Sequence, residues 1–148
     1  MLTNSDIKLI LEKYSIGKLK STGNVIKDDQ ISFSQTIKTS KGVFLLKIYR
    51  VFSNSTVEGL ELVKFLDAKN FPTNNLILSK NGKTFIHFKN YKLSIFKFVN
   101  HKPKHNLNQQ QVRELGKLLG RLHALTKNYN LSENKFGWKY FKQLTFKA

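Results

Sequence analysis

The sequence contains no cysteine, which excludes disulfides and cysteine-ligated zinc and is compatible with a reducing compartment. Proline occurs twice, at Pro72 and Pro103, and each falls in a break between patterned segments. Arginine is scarce: three of the 26 basic residues are arginine (Arg50, Arg113, Arg121) and the others are lysine. Acidic residues number nine, and beyond Asp67 only Glu114 and Glu133 remain. Long apolar runs are also missing. The longest, Val43-Phe44-Leu45-Leu46, is far below the roughly 20 residues that span a bilayer. Met1 to Asp6 shows no basic stretch followed by an apolar one, so no signal peptide is expected and a cytoplasmic protein is.

Against these absences stand 148 residues, 40% apolar and 12% aromatic, enough for a domain with its own core. The formal net charge of +17 raises the question of a nucleic-acid or anionic-membrane partner. Two features argue against both. Arginine, the residue that reads phosphates and base edges bidentately, is the rare one. The lysines are also spread along the whole chain rather than gathered in one segment.

Hydrophobic periodicity gives the order of elements. Ile7, Ile10, Leu11 and Tyr14 recur at helical spacing within Thr3–Ile16, with Asn4 or Ser5 as the expected cap, and Gly17 ends the pattern. Lys18–Ile26 and Ile31–Thr39 alternate as strands around a polar turn at 27–30. Ser40-Lys41-Gly42 is a tight turn into a strand over Val43–Arg50. Thr56–Lys69 reads as a helix with Leu62, Phe65, Leu66 and Lys69 on one side. Asn75–Ser79 and Thr84–Phe88 are expected as strands joined by an Asn81-Gly82 hairpin, and Lys92–Val99 as one more. A connector over 100–107 leads to a long helix capped by Asn108, with Gln111 completing a capping box and Val112, Leu115, Leu119 and Leu122 as its apolar stripe. The tail beyond Asn128 is aromatic and basic. The expected fold is α+β: the small lobe of a protein-kinase-like fold, with an antiparallel sheet of about five strands and a packed helix, followed by the first helical part of a larger lobe. The expected divisions are 1–99, 100–107 and 108–148.

One residue stands out chemically. Along Val43–Arg50, Phe44, Leu46 and Ile48 share one face, while Val43, Leu45, Lys47 and Tyr49 share the other. Lys47 therefore lies in a largely apolar stripe, where a cation is costly to bury unless an anion meets it. In kinases a third-strand lysine reaches the phosphates of ATP and a carboxylate on the following helix. The alternative is an edge lysine that extends to water. Glu58 and Glu61 are the acidic candidates on the next helix, and Ser32 and Ser34 flank the position of a phosphate-covering turn. His101 and His105 flank Pro103 without metal-ligand spacing, His87 lies in a strand, and His123 is read as a packed helical histidine.

These pieces, in this order, resemble the aminoglycoside phosphotransferase, homoserine kinase and choline kinase superfamily. Gly42 to Arg50 resembles its G-x-y-v-L-K-x-y-r strand. Thr56–Lys69 with Asn70-Phe71-Pro72 is similar to its L-x-x-x-g-f-P element, and Asn81-Gly82-Lys83 to the hairpin after it. Leu93 to Asn100 is similar to its hinge strand, and Leu115 to His123 to its L-G-x-x-L-a-x-L-H helix. The resemblance covers the chain from about Tyr14 to Asn128. It implies ATP held between sheet and hinge, with Lys47 on the phosphates, Glu58 or Glu61 as its partner, Ser32 and Ser34 beside the phosphates, and Phe96, Lys97, Phe98 and Val99 along the adenine. The superfamily's usual helix glutamate falls on Gly59, and its hinge glycine on Asn100. Its His-Gly-Asp catalytic loop and metal-binding Asp have no counterpart here, since Glu133 is the only acidic residue after His123. No catalytic or metal-ligating residue is therefore assigned. Mg²⁺ would need the remainder of the larger lobe, and an ATP-dependent phosphotransferase acting on an alcohol group is expected to be inactive in these residues alone. A separate chain carrying that lobe is an expected partner, and the small-molecule acceptor stays open. The alternatives are a non-catalytic nucleotide- or protein-binding module and a basic nucleic-acid-binding domain.

Overall fold

The computed structural model describes residues 2–27, 32–99 and 106–129. Helix α1 (Asn4–Glu12) opens the chain. Its cap is Thr3 rather than Asn4 or Ser5: the Thr3 hydroxyl accepts from the Asp6 N–H and the Asp6 carboxylate accepts from the Thr3 N–H. This box satisfies two N–H groups that a helix start otherwise leaves open. Gly17, at φ +87°, then turns the chain, and a Cβ there would stand 2.2 Å from the Ser40 hydroxyl.

β1 (Leu19–Lys27), β2 (Ser32–Thr39) and β3 (Gly42–Tyr49) form an antiparallel meander. After α2 (Asn54–Ala68) come β4 (Leu76–Ile77), β5 (Ile86–Phe88) and β6 (Tyr91–Lys97). The sheet runs β1-β2-β3-β6-β4, with β5 also paired to β6, so it has six strands rather than five. β4 and β5 do not form the expected hairpin ladder. Each pairs with β6, β4 at Phe96 and Ile95 and β5 at Leu93 to Tyr91. The Asn81-Gly82 turn between them is local, closed by Gly82 N–H to Ser79 O at 2.8 Å and Ser79 N–H to Lys83 O at 3.0 Å. The sequence marks the turn correctly, but pairing is decided by which strand buries Leu76 and Ile86.

The alternation along β3 divides the core in two. Phe44, Leu46 and Ile48 are buried with Ile7, Ile10, Leu11 and Tyr14 of the α1 segment and with Leu93 and Ile95 of β6. On the opposite face, Leu60 and Val63 of α2 meet Leu45, Leu76 and Phe96. Leu60 and Leu66 are the buried residues of α2, and Leu62 is only half-buried, because the sheet meets the helix along a different stripe from the one its spacing suggests. The Tyr14 hydroxyl is buried with no hydrogen-bond partner among the described residues, and burial pushes its pKa up.

α3 (Gln109–Thr126) has the expected box, with Asn108 Oδ1 accepting from the Gln111 N–H at 2.9 Å and Gln111 Oε1 from the Asn108 N–H at 3.1 Å. Its stripe is not buried: Val112, Leu115 and Leu119 are each more than half exposed. His123, read as packed, is exposed too. All of the expected 27–30 turn but Lys27, the 100–105 part of the connector with His101 and His105, and the tail from 130 lie outside the described residues.

Candidate functional site

The ladder registers place side chains in rows across the face that α2 covers. Ile26, Ser34, Lys47 and Ser94 are successive partners across β1, β2, β3 and β6. One row along lie Ser32, Tyr49, Lys92 and His87. On the other side lie Thr36, Leu45, Phe96 and Leu76. Lys47 thus stands between two serines that are almost fully buried, Ser34 at 2% and Ser94 at 0% exposure, while its own side chain is half-buried. Its ammonium lies 5.9 Å from the centroid of the Tyr49 ring. That ring begins an aromatic chain: Tyr49 to Phe52 at 5.3 Å, Phe52 to Phe85 at 4.6 Å, Phe85 to His87 at 5.6 Å. Lys92 sits 4.5 Å above Phe52. The face around Lys47 therefore carries cations over aromatic rings and buried hydroxyls, a surface suited to an anion with a flat apolar group.

A polar relay joins this row to α2. The Ser94 hydroxyl donates to the Thr84 carbonyl at 2.9 Å, and the buried Thr84 hydroxyl donates to Glu61 Oε1 at 2.8 Å. Glu61 also faces Lys64 at 3.5 Å. Of the two candidate carboxylates, Glu61 accepts from Thr84, and Glu58 is half-buried on the same helix. Both lie near Tyr129, which packs on Phe65 at 4.8 Å. Burial first, and then the negative charges of Glu61 and Glu58, push the Tyr129 pKa up. Ser94 and Thr84 have no place in the sequence reading. A serine between Leu93 and Ile95, inside the apolar stretch that ends at Phe96, was the available signal.

The strand end differs along its length. Phe96 is buried against Leu60 and Leu76, whereas Lys97, Phe98 and Val99 are exposed. The Phe98 N–H donates to Val43 O at 3.1 Å and the Lys97 N–H to Asn75 O at 3.0 Å. Of the expected adenine-side residues, Phe96 is therefore buried and the next three lie on open surface. Among the described residues, no three His, Asp or Glu side chains are grouped to hold a metal ion, and no helix is long and apolar enough to cross a membrane.

No protein-family model matches the chain, and no curated protein matches it. Among solved structures it is similar to spectinomycin phosphotransferase APH(9)-Ia, crystallised with ADP and spectinomycin. The TM-score is 0.67 and the identity 16%, over 96% of this chain and 45% of that one. The fold is aminoglycoside-phosphotransferase-like, over the N-terminal part of that fold.

In this phosphotransferase-like fold the chain spans a little under half the length of the enzyme it matches. α3 is tied to the sheet-bearing part through Arg121, which donates to Lys69 O at 3.2 Å and Asn70 O at 3.0 Å and lies 5.7 Å from the Phe71 ring centroid. The Asn70-Phe71-Pro72 segment singled out in the sequence is thus where the long helix attaches.

Proposed function

We propose that this chain is the nucleotide-binding part of an ATP-dependent phosphotransferase acting on an alcohol group of a small molecule. The observation that carries the proposal is the position of Lys47, half-buried between two buried serines on the face shared with α2. A lysine at that place on the third strand is positioned to meet the phosphates of ATP, as the corresponding lysine does in kinases. Lys47, Ser34 and Ser32 would face the phosphates, Phe96 would close the inner side of the adenine site, and Lys97 to Val99 would pass along its edge. Glu61, held by Thr84, and Glu58 are the carboxylates available to orient Lys47. ATP would supply the phosphoryl group. These residues would bind and orient it, and none of them would act as base or metal ligand.

The fold supports this reading, and so does the ADP held by the structural neighbour. The sequence has no His-Gly-Asp loop, so the 148 residues alone should bind nucleotide weakly and transfer nothing, with activity restored only by the remainder of the larger lobe, supplied in the same or a separate chain.

Isothermal titration of the chain with ATP, repeated on Lys47→Met, tests the proposal. The variant should lose about tenfold or more in affinity at unchanged folding. Equal ATP affinity in both proteins, or phosphorylation of an alcohol by the chain alone, would contradict it.

A further inference from the structure

Three cavities lined by described residues lie away from Lys47, and two of them adjoin. The first, about 540 Å³, is lined by Glu12 and Lys13 at the end of α1, by Lys80 and Lys83 of the turn, and by Phe85 and His87, among others. The second, about 600 Å³, is lined by Lys8, Leu11, Glu12, Lys18, Leu19 and Lys80, among others. They share Lys80 and Glu12. Five lysines therefore surround one carboxylate. Each cavity contains three of them, with Lys80 common to both.

The backbone beneath these side chains is fixed. The Lys80 N–H donates to Lys13 O at 2.9 Å, docking the turn on the end of α1. The Lys83 N–H donates to the Ser79 hydroxyl at 3.1 Å. Lys18 is pinned through its carbonyl to the Ser40 N–H at 2.9 Å and through its N–H to the Ser40 hydroxyl at 3.1 Å. The ammonium groups are not neutralised. Lys64, Lys89 and Lys117 each have a carboxylate within 4 Å, but among the described residues none of the five cavity lysines does, and Glu12 pairs with none of them. The third cavity, about 560 Å³ beside Pro72, has Asp67 and Lys97 in balance.

We propose that the joined cavities between α1 and the 79–83 turn bind a small polyanion of the oligophosphate class, at a site that does not include Lys47 and meets the aromatic chain of its face at Phe85 and His87. Concave walls in which five lysines outnumber the one carboxylate, Glu12, keep a net positive potential at their centre. Lysine binds phosphate as a point charge without a fixed approach direction, so several ammoniums can converge on one group. Volumes of several hundred Å³ suit a small ligand. A chain of two or three phosphates would place one group in each cavity, with Lys80 between them and Leu11, Leu19 and Phe85 as the floor.

Titration of the full chain with inorganic tripolyphosphate tests this, at fixed moderate salt and on four variants. Lys80→Glu should weaken binding by about tenfold or more, because it reverses the one charge common to both cavities. Lys8→Glu/Lys83→Glu should do the same and covers the case in which Lys80→Glu folds poorly. Lys38→Glu makes the same charge change on an exposed strand position and should stay within about twofold of the parent. Lys47→Met removes the other candidate site, and a binding step sensitive to Lys80→Glu should remain in it. A loss as large in Lys38→Glu would mean general charge attraction and overturn the proposal. So would a loss confined to Lys47→Met, no binding at all, or tighter binding of a single-stranded oligonucleotide at these same lysines.

Discussion

The Thr84 hydroxyl donates to Glu61 at 2.8 Å, and this bond connects α2 to the segment that leads into β5. Thr84 is 1% exposed, so Thr84→Val should leave the carboxylate without its buried donor and destabilise the fold by about 1–3 kcal/mol. A double-mutant cycle with Glu61→Ala, read by urea unfolding, should return a coupling of about 1 kcal/mol. Additive losses would mean that the bond does not anchor the helix.

The two faces of β3 should respond differently to truncation. Leu46 is 0% exposed under α1, so Leu46→Ala should cost about 2–5 kcal/mol. Val43, on the other face, is 39% exposed, and Val43→Ala should cost less than about 1 kcal/mol. Comparable losses from the two would be incompatible with the β2–β3–β6 register on which the Lys47 row depends.

Much of this arrangement was legible in the sequence. Alternation along Val43–Arg50 placed Lys47 opposite Phe44, Leu46 and Ile48, and alternation is a local property of a strand. The Asn108–Gln111 box was legible for the same reason. Pairing was not local. Nothing within 75–88 tells that β4 and β5 both lie on β6, since that depends on where a third strand runs. Thr84 reaches Glu61 across 23 residues of sequence, and Ser94 faces Lys47 only through a ladder between distant strands. The buried stripe of α2 was misplaced because Leu60, Leu62, Val63, Phe65 and Leu66 make the helix apolar on several sides, and the sheet selects among them.

Tyr14 should be a position where losing a polar atom helps. Its hydroxyl is buried with no partner among the described residues. Tyr14→Phe keeps the ring in the core and removes the unsatisfied group, so stability should be unchanged or higher by up to about 1 kcal/mol. A clear loss in thermal unfolding would show that the hydroxyl has a partner.

Asp6 sets a stability change in acid. Its bond to the Lys89 ammonium at 2.7 Å, together with the Thr3 N–H, holds its carboxyl down at about 2, against the usual 3.8. Because the folded value lies below the unfolded one, the contribution is present above the unfolded pKa. It is lost as pH falls from about 4 through about 2. Thermal midpoints measured across that window should fall more steeply for the parent than for Asp6→Asn. Parallel curves would show that the pair contributes nothing.

Arg121 should control how firmly α3 is held. Its guanidinium reaches the Lys69 and Asn70 carbonyls together, at 3.2 and 3.0 Å, just past the end of α2. That end carries the negative pole of the helix dipole. A lysine there would keep the charge but lose the planar fork and its stacking on Phe71. Arg121→Lys should therefore change global stability by less than about 1 kcal/mol, since the contact is exposed. The amides of the last two turns of α3 should nevertheless exchange hydrogen several-fold faster, because local opening follows the local contacts. Amides of β3 and β6 serve as the internal reference and should not change. If α3 protection is the same in both proteins, the helix is held by its other neighbours and Arg121 is a surface residue.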